Sequence, residues 1–406
     1  MPDNFAPETE AQVRDLVRWA AGAGKTLALR GLDTKAQFGH AVTTDCVLSL
    51  HRLQGIAAYE PSELMLRAAA GTPLAAVEAA LAEHGQRLAF EPPYLGRLYG
   101  VDNPGSIGGV FLGNLAGPRR FVAGAARDHI LGCRAVNGRG ETFKTGGAVI
   151  KNVTGYDLAK LLTGSWGTLS VVTEICCKVL PAPDTAATLA LPGASRREVL
   201  ECIAALAGSP WEITGLACFP EKTVPAFRRE LGLEGELGLA RLEGSPASIR
   251  ERIAAMERAG LLTAVHQVFE AEVSGRIWRA VRDVEVFAGD SRATAVLKLS
   301  IPPASLLDVT RVIDQLGGCE WYADAAGGWL WVAICQGSSE DKISALRREI
   351  AAVSGSAVLY RAPPAIKRHV GIQPPAPAAL AALTQRIKHA FDPYNLFNPG
   401  RLDAPA

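Results

Sequence analysis

Two glycine-rich segments constrain the fold of this chain more than any other feature of its sequence. Gly31 and Gly39 bracket the first segment, LRGLDTKAQFG, and the second, NPGSIGGVFLGNLAGPRR, carries Gly105, Gly108 and Gly109. Glycine accepts backbone conformations and close approaches that a Cβ atom forbids, so both segments can curl their N–H groups around a pyrophosphate. Either segment alone is also compatible with an ordinary tight turn. Together they predict the doubled loop that a dinucleotide needs.

The segments before the second loop predict alternating helices and strands. Apolar residues at helical spacing, Val13, Leu16, Val17 and Ala20, stop at Gly22 and predict a first helix. Strands are predicted over 26–30, 46–50 and 64–70. A second helix is predicted to end at Gly85, with Thr72 as its cap and Pro73 at its first position.

The chain changes character after the proline-containing segment 180–184, and two strand-helix-strand groups follow. Ser245 and Pro246 predict the start of one helix, whose apolar face carries Ile249, Ile253 and Met256. Ser305 and Asp308 form a capping-box pattern that predicts the start of another. The order favours an antiparallel sheet with helices on one face, of the ferredoxin-like kind. A last helix, marked by Leu380, Leu383 and Ile387, precedes a tail whose proline turns predict a firmly held terminus.

Charge and cysteine content exclude several functional classes. Lys plus Arg number 42 and Asp plus Glu 41, so the chain has no general field for nucleic acid or anionic lipid. The acidic N-terminus and the lack of a long apolar stretch predict a cytoplasmic protein. The eight cysteines include no CxxC spacing, which predicts core cysteines and no metal site.

The GKT sequence at 24–26 resembles the end of an ATP-binding P-loop. The full motif needs a glycine where this chain has Trp19, and a strand rather than a helix should precede it. We therefore do not expect a P-loop.

The motif order RGxxTxxxxG, GSIGGxxxxNxAG, KNVTGYDLAKLLTGSWGTLSVVTE and FDPxxxFNPGR resembles FAD enzymes of the vanillyl-alcohol-oxidase (PCMH) type. The resemblance implies an α+β fold, with a PCMH-type FAD-binding domain of two α/β subdomains over 1–182. It also implies a smaller, ferredoxin-like antiparallel cap over 183–374 and a segment, 375–406, that returns to the FAD-binding domain.

Two motif variants, AGPRR at 116–120 and KNVTGYDL at 151–158, are most similar to the small flavin subunits of bacterial glycolate oxidases. This resemblance implies an FAD-dependent oxidoreductase that works in a complex with a larger catalytic flavin subunit and an iron–sulfur subunit. The substrates implied are glycolate and related D-2-hydroxy acids. Any association with the inner membrane would be peripheral and through that complex.

Carried over residue by residue, the resemblance implies a set of FAD-binding positions. They are Arg30, Gly31, Leu32, Asp33, Thr34, Gly39, Pro92, Gly105, Ser106, Gly108, Gly109, Asn114, Gly117, Gly155, Tyr156, Leu158, Gly164, Gly167 and Ile175, the last near the adenine.

Some of these residues, and some of their neighbours, have simpler interpretations. Tyr156 and Leu158 could be core residues, and Asp157 could only cap the helix that follows. Arg119 and Arg120 could be a solvated charge pair or could bind an anion.

Two departures from the family pattern affect the chemistry. The first loop has Asp33 and Thr34 where covalent flavoproteins of this type place a histidine, so we expect noncovalent FAD. Relatives that oxidise 2-hydroxy acids often carry a metal-binding HxxxGxxH motif in the cap, whereas the comparable stretch here is YADAAGGWLWV. His266, His369 and His389 are isolated in the sequence, so no catalytic base is identified.

Three functions remain open at this point. The leading one is a flavin subunit that relays electrons within a glycolate oxidase complex. The second is a free-standing flavin dehydrogenase for a D-2-hydroxy acid. The third is a structural subunit with a vestigial flavin site, which the intact glycines make the least favoured.

Overall fold

The computed structural model describes residues 3–147, 155–262 and 266–402 and has the predicted α+β class. Its strands are β1 (Asp3–Phe5), β2 (Leu27–Arg30), β3 (Cys46–Ser49), β4 (Ile56–Glu60), β5 (Met65–Ala69), β6 (Gln86–Arg87), β7 (Ile130–Val136), β8 (Thr142–Gly146), β9 (Val171–Lys178), β10 (Leu180–Pro181), β11 (Thr185–Gly193), β12 (Gly215–Phe219), β13 (Glu236–Gly244), β14 (Gln267–Glu270), β15 (Ala295–Ser300), β16 (Cys319–Asp324), β17 (Trp329–Ile334) and β18 (Ser356–Arg361).

The helices are α1 (Glu10–Ala23), α2 (Leu74–Ala82), α3 (Ile107–Leu112), α4 (Arg120–Ala123), α5 (Ala126–His129), α6 (Leu158–Leu162), α7 (Arg196–Ala207), α8 (Ala226–Glu230), α9 (Pro246–Arg258), α10 (Ala271–Arg282), α11 (Leu306–Leu316), α12 (Ser339–Ala352), α13 (Pro364–Val370) and α14 (Ala378–Phe391). None of the helices in the described ranges is long and apolar enough to cross a membrane.

The first α/β unit is a parallel sheet of order β1-β3-β2 with α1 packed against it. Thr9 and Gln12 form a capping box at the start of α1, and Gly24 ends the helix in a left-handed conformation with φ 62°. The GKT stretch therefore lies between the end of helix α1 and the start of strand β2. In a P-loop a strand would come before the loop, so the prediction that this stretch is not a P-loop is confirmed. One face of α1 is fully buried, and it carries Val13, Val17 and Ala20, as their spacing predicts.

The second unit is a five-stranded sheet of order β4-β5-β9-β7-β8 whose neighbouring strands are antiparallel. The prediction that Thr72 caps α2 is wrong, because Pro73 occupies the cap position. The Thr72 hydroxyl instead donates to the Ala69 carbonyl at 2.6 Å and accepts from the Gly55 amide at 2.9 Å. It is thereby engaged in the turn that precedes the helix.

The cap contains an eight-stranded sheet of order β14-β11-β13-β12-β16-β17-β15-β18. Each half follows a β-α-β-β-α-β order, with the short helix α8 added between β12 and β13 in the first half, so the ferredoxin-like prediction is confirmed in doubled form. The halves join where Cys218 of β12 pairs with Ala323 of β16. Ser245 caps α9 as predicted. The prediction of a capping box at the start of α11 is wrong, because Ser305 ends a 3-10 turn and its side chain makes no hydrogen bond to the first turn of the helix.

The two faces of this sheet are covered differently. Helices α7, α9, α11 and α12 pack on one face, against residues such as Leu297 and Val332. On the other face, Tyr322 and Trp331 belong to the same hydrophobic core as Leu66 and Phe111. The latter two lie in the units before β11, the half in which the resemblance implies FAD binding and which is called the FAD-binding half. The cap therefore rests directly on the units that carry the glycine loops.

The prediction that the C-terminal tail after α14 is firmly held is confirmed. The buried carboxylate of Asp392 accepts hydrogen bonds from the amides of Leu396 and Phe397 at 2.9 and 2.8 Å. Phe397 also forms a parallel bridge with Leu27, which brings the tail beside the first loop. The boundaries at 182/183 and 374/375 stay predictions.

Candidate functional site

The two glycine loops meet in one cleft. A Cβ atom on Gly31 would lie 2.5 Å from the Ser106 hydroxyl oxygen. A Cβ on Gly105, which has φ 91°, would lie 2.7 Å from Thr34 Oγ1 and 2.8 Å from Lys35 Nζ. Gly105 therefore has to be a glycine, whereas a side chain at Gly31 would force the Ser106 hydroxyl to move. The cleft holds about 730 Å³ of empty space, counting the part that is open to solvent.

Many of the predicted positions line this cleft. They are Arg30, Gly31, Leu32, Asp33, Thr34, Ser106, Gly108, Gly109 and Gly167. Gly39 and Gly105 support the walls from behind, since Gly39 contacts the backbone of Arg401 and Gly105 contacts Thr34 and Lys35.

Two buried cations border the cleft without a carboxylate partner among the described residues. Lys35 is 7% exposed, and its Nζ donates to Thr34 Oγ1 at 3.1 Å. Arg401 donates from Nη2 to the Lys35 carbonyl at 2.9 Å, while its buried Nε has no partner. Burial, assisted by the charge of Arg401, lowers the pKa of Lys35 to about 8, and burial lowers that of Arg401 to about 10. Such buried positive charge is stabilised by an anion.

The cleft therefore fits the pyrophosphate of FAD. Its glycines leave room for close approach of the phosphates, and Lys35 and Arg401 would neutralise their charge. Trp166 adds an aromatic wall, stacked on Phe38 with 3.7 Å between ring centroids. Aromatic and apolar walls with a few polar groups are typical of cofactor sites.

The remaining predicted positions do not line this cleft, and their role in FAD binding stays a prediction. They are Pro92, Asn114, Gly117, Gly155, Tyr156, Leu158, Gly164 and Ile175. Ile175 is a core residue of β9 at 1% exposure. Tyr156 is 92% exposed, so its interpretation as a core residue is wrong. The first half of the KNVTGYDL motif, 151–154, lies outside the described residues.

Asp157 is the N-cap of α6, which confirms the interpretation that it caps the helix that follows. Its Oδ1 accepts from the Lys160 amide at 3.1 Å, and its carboxylate pairs with the Lys160 ammonium at 2.8 Å. Both contacts are local to the helix start.

Arg119 fits neither of its two interpretations. It is largely buried and forms an ion pair with Glu243 of β13, which also accepts two bonds from Arg87 at 2.8 and 3.0 Å. It therefore ties the FAD-binding half to the cap sheet. Arg120 is 41% exposed and lies 3.5 Å from Asp128.

Three residues of the cleft wall were not predicted from the sequence: Lys35, Trp166 and Arg401. All three stand inside the motifs that carry the family resemblance. Lys35 could have been predicted from the sequence, because a lysine within a glycine-rich loop is well placed to bind a phosphate. For Arg401 the signal was weaker, because only the folded tail brings it to the first loop.

The cap stretch YADAAGGWLWV, which stands where some relatives carry metal-binding histidines, contains Asp324 and Trp329, and both lie near Lys298. The Lys298 ammonium lies 2.9 Å from the centroid of the Trp329 ring. Burial lowers the pKa of Lys298 to about 7, despite the opposing effect of Asp324. Burial also raises the pKa of Asp324 to about 7.

A metal-ligand grouping within the described part of the chain occurs elsewhere, at Asp290, Glu320 and Cys335. Arg292 forms ion pairs with Asp290 at 2.7 Å and with Glu320 at 3.1 Å. That arginine already supplies positive charge to both carboxylates. The eight cysteines form no disulfide, and five of them are buried, in line with the prediction of core cysteines.

Comparisons with known proteins agree with this geometry. A family model described as an FAD binding domain matches residues 4–156. The chain is similar to the glycolate oxidase subunit GlcE of Escherichia coli K12, with 32% identity over 93% of each sequence. It is also similar to a D-lactate dehydrogenase of Archaeoglobus fulgidus, with 25% identity over 77% of this chain and 70% of that protein.

The fold has counterparts among solved structures. The 4-ethylphenol oxidase from Gulosibacter chungangensis matches with a TM-score of 0.69 and 15% identity, over 99% of this chain and 89% of that chain. At this identity the match establishes the shared fold alone.

Proposed function

Since the chain belongs to the family of FAD-binding oxidoreductases that includes the glycolate oxidase subunit GlcE, we propose that it is the FAD-binding subunit of a glycolate oxidase complex. The complex would oxidise glycolate and related D-2-hydroxy acids to 2-oxo acids. Electrons would pass through flavin to a partner iron–sulfur subunit resembling GlcF, and the complex would also contain a catalytic flavin subunit resembling GlcD. The chain would then be cytoplasmic and would meet the inner membrane only through its complex.

One observation carries the proposal. The loops at 31–39 and 105–109 approach so closely that Gly105 has to be a glycine and a Cβ on Gly31 would displace Ser106, and the cleft that they form is bordered by Lys35 and Arg401. A vestigial site would not need to keep two buried cations without carboxylate partners, since burying them is unfavourable. The cleft therefore favours a working flavin site over the purely structural alternative.

The residues of this chain would bind and orient the cofactor. Lys35 and Arg401 would neutralise the pyrophosphate, and the loop amides would donate hydrogen bonds to it. Trp166 and Leu112 would exclude water from one side of the cleft. Bound FAD supplies the acceptor for the electron pair that leaves the substrate carbon. The described cysteines form no CxxC pair for an iron–sulfur cluster, so the electrons would leave to another chain.

Anaerobic spectroscopy tests the proposal. The purified chain should take up FAD noncovalently, so that denaturation releases the flavin, and glycolate should not bleach it. The reconstituted complex should be bleached by glycolate. Rapid bleaching of the isolated chain would instead establish a free-standing dehydrogenase.

The free-standing dehydrogenase is favoured by one feature, the pair Lys298 and Asp324, because both can exchange a proton near neutral pH. In that case D-lactate or glycolate should reduce the isolated chain with a dye as acceptor. An FAD-saturated preparation that turns over neither substrate would rule it out.

A further inference from the structure

Building on the proposed function, we propose that Lys298 and Arg120 bind the carboxylate of a small 2-hydroxy-acid substrate. The site lies on the face of the cap sheet that meets the FAD-binding half.

Lys298 is a charged residue in the middle of an apolar strand. It stands on β15 directly opposite Trp331 of β17, on the face that packs toward the FAD-binding half. Its ammonium lies 2.9 Å from the ring centroid of Trp329 and 5.3 Å from that of Trp331. Within the described ranges it makes no hydrogen bond and no ion pair. Ring faces offset part of the cost of burying an ammonium, but three donors remain available to an anion.

A second cation approaches the same point. Arg120, at the start of α4, lies close enough to Lys298 for its charge to oppose protonation of the lysine. Helix α4 contacts the turn at 325–327 that follows Asp324. Arg120 pairs with Asp128 at 3.5 Å, but both side chains of that pair are exposed, so the arginine can also contact an anion beside Lys298.

Asp324 does not remove this positive charge. Its side chain is buried, accepts from the Ala325 amide at 2.6 Å and forms no ion pair with Lys298 within 4 Å. With a pKa of about 7, which burial raises, it is only partly ionised at neutral pH. The site is therefore most positive below pH 7, where Lys298 is protonated and Asp324 is neutral.

A continuous row of aromatic rings links the site to the cofactor cleft. Trp166 of the cleft stacks on Phe38 at 3.7 Å, Phe38 meets Tyr360 at 5.1 Å, and Tyr360 meets Trp331 at 4.9 Å. Trp331 is the ring beside Lys298. The row connects the cofactor cleft to the ring beside Lys298, and the faces of Trp329 and Trp331 give the site an apolar wall.

The test measures binding rather than turnover, with the full chain loaded with FAD. The probe is oxalate, a carboxylate that has no hydroxyl carbon to oxidise, and titration calorimetry gives its affinity. Glycolamide, the uncharged amide of glycolate, is the matched ligand. Lys298→Met and Arg120→Gln each remove one cation, and Lys222→Met removes an exposed lysine of the cap as a control.

We expect oxalate to bind at least about tenfold more weakly to Lys298→Met, in keeping with the loss of a charge-assisted hydrogen bond. Arg120→Gln should show a smaller loss, because its side chain is 41% exposed. Glycolamide affinity, FAD content and the Lys222→Met control should not change. Lys298→Arg should keep most of the affinity, which would separate the effect of charge from that of packing.

Unchanged oxalate affinity in both Lys298→Met and Arg120→Gln would overturn the proposal, as would the absence of oxalate binding to FAD-loaded wild type. If Lys298→Met fails to fold, Arg120→Gln still decides the question. The proposed function fails separately, if the complex does not oxidise hydroxy acids. Oxidation at the wild-type rate and KM by a complex carrying Lys298→Met would sink the carboxylate site while leaving the function intact.

Discussion

The cofactor cleft and the cap face each set a lysine beside an arginine, but they reach this arrangement by different means. In the cleft, backbone loops bring the groups together, and the glycines decide how close they come. On the cap face, strand β15 carries the lysine and helix α4 brings the arginine near it, and the side chain at each position decides what the site can bind. A loop site depends on local sequence, whereas a sheet site depends on which face is covered. The two should therefore respond differently to substitution.

The largest effect is expected from Gly105→Val. The substitution forces a β-branched residue into a left-handed conformation and into contact with Thr34 and Lys35. FAD affinity, measured by flavin fluorescence quenching, should fall by more than about a hundredfold. Gly22→Ala is the control, because a Cβ on Gly22 meets nothing within 4 Å and lies within helix α1. Equal FAD affinity in both variants would contradict the loop-to-loop contact as the basis of the cleft.

Lys35→Met should weaken FAD binding by about tenfold, because it removes one charge-assisted contact to phosphate. The wild-type affinity should also fall as pH rises from 7 to 9. The free lysine, with a pKa of about 8, is protonated below that value and loses its charge above it. Lys35→Met should show a flatter profile. A wild-type profile that is flat over this range would show that Lys35 does not contact the phosphates.

The cap face should have its own, lower-lying pH dependence. Oxalate binding should weaken by about fourfold between pH 6 and 7.5, as Lys298 loses its proton near pH 7. Asp324 and Arg120 face the lysine, and Glu91 and Arg241 act in turn on Asp324. Ionisation of Asp324 over the same range would add to the weakening. Loss of this dependence in Lys298→Met, with FAD affinity unaffected, would separate the two sites experimentally.

The smallest effect is expected at Asp157, which belongs to neither site in the described structure. Asp157→Ala should cost about 1 kcal/mol of unfolding free energy, because the cap of α6 is lost, whereas Asp157→Asn should cost less. Denaturant unfolding would measure both. A large loss of FAD from Asp157→Asn would instead assign this segment to the cofactor site.

The cleft was largely predictable from sequence, because its glycines act through local conformation. Gly31 and Gly105 stand out in the two glycine-rich segments, and the family resemblance assigned them to the pyrophosphate; the structure places them where a Cβ would collide with the opposite loop. Arg401 was not identified as a wall residue, because its contact with Lys35 spans most of the chain.

The cap was predictable as a fold but not as a site. The pattern around Ser245 and Pro246 gave a correct helix start, because capping is local. In the strand AVLKLS, alternation places Lys298 on the face opposite Leu297 and Leu299, and such a lysine would ordinarily face solvent. Only the docking of the sheet on the FAD-binding half reveals that this face is covered.

The position of Arg401 also bears on how the protein matures in the cell. Its backbone lies against Gly39, and its side chain holds the carbonyl of Lys35. During synthesis the first loop leaves the ribosome long before residue 401 does. A nascent chain that has not reached Arg401 therefore lacks one of the two buried cations that border the cleft, and the cleft is incomplete until the tail lies against the first loop.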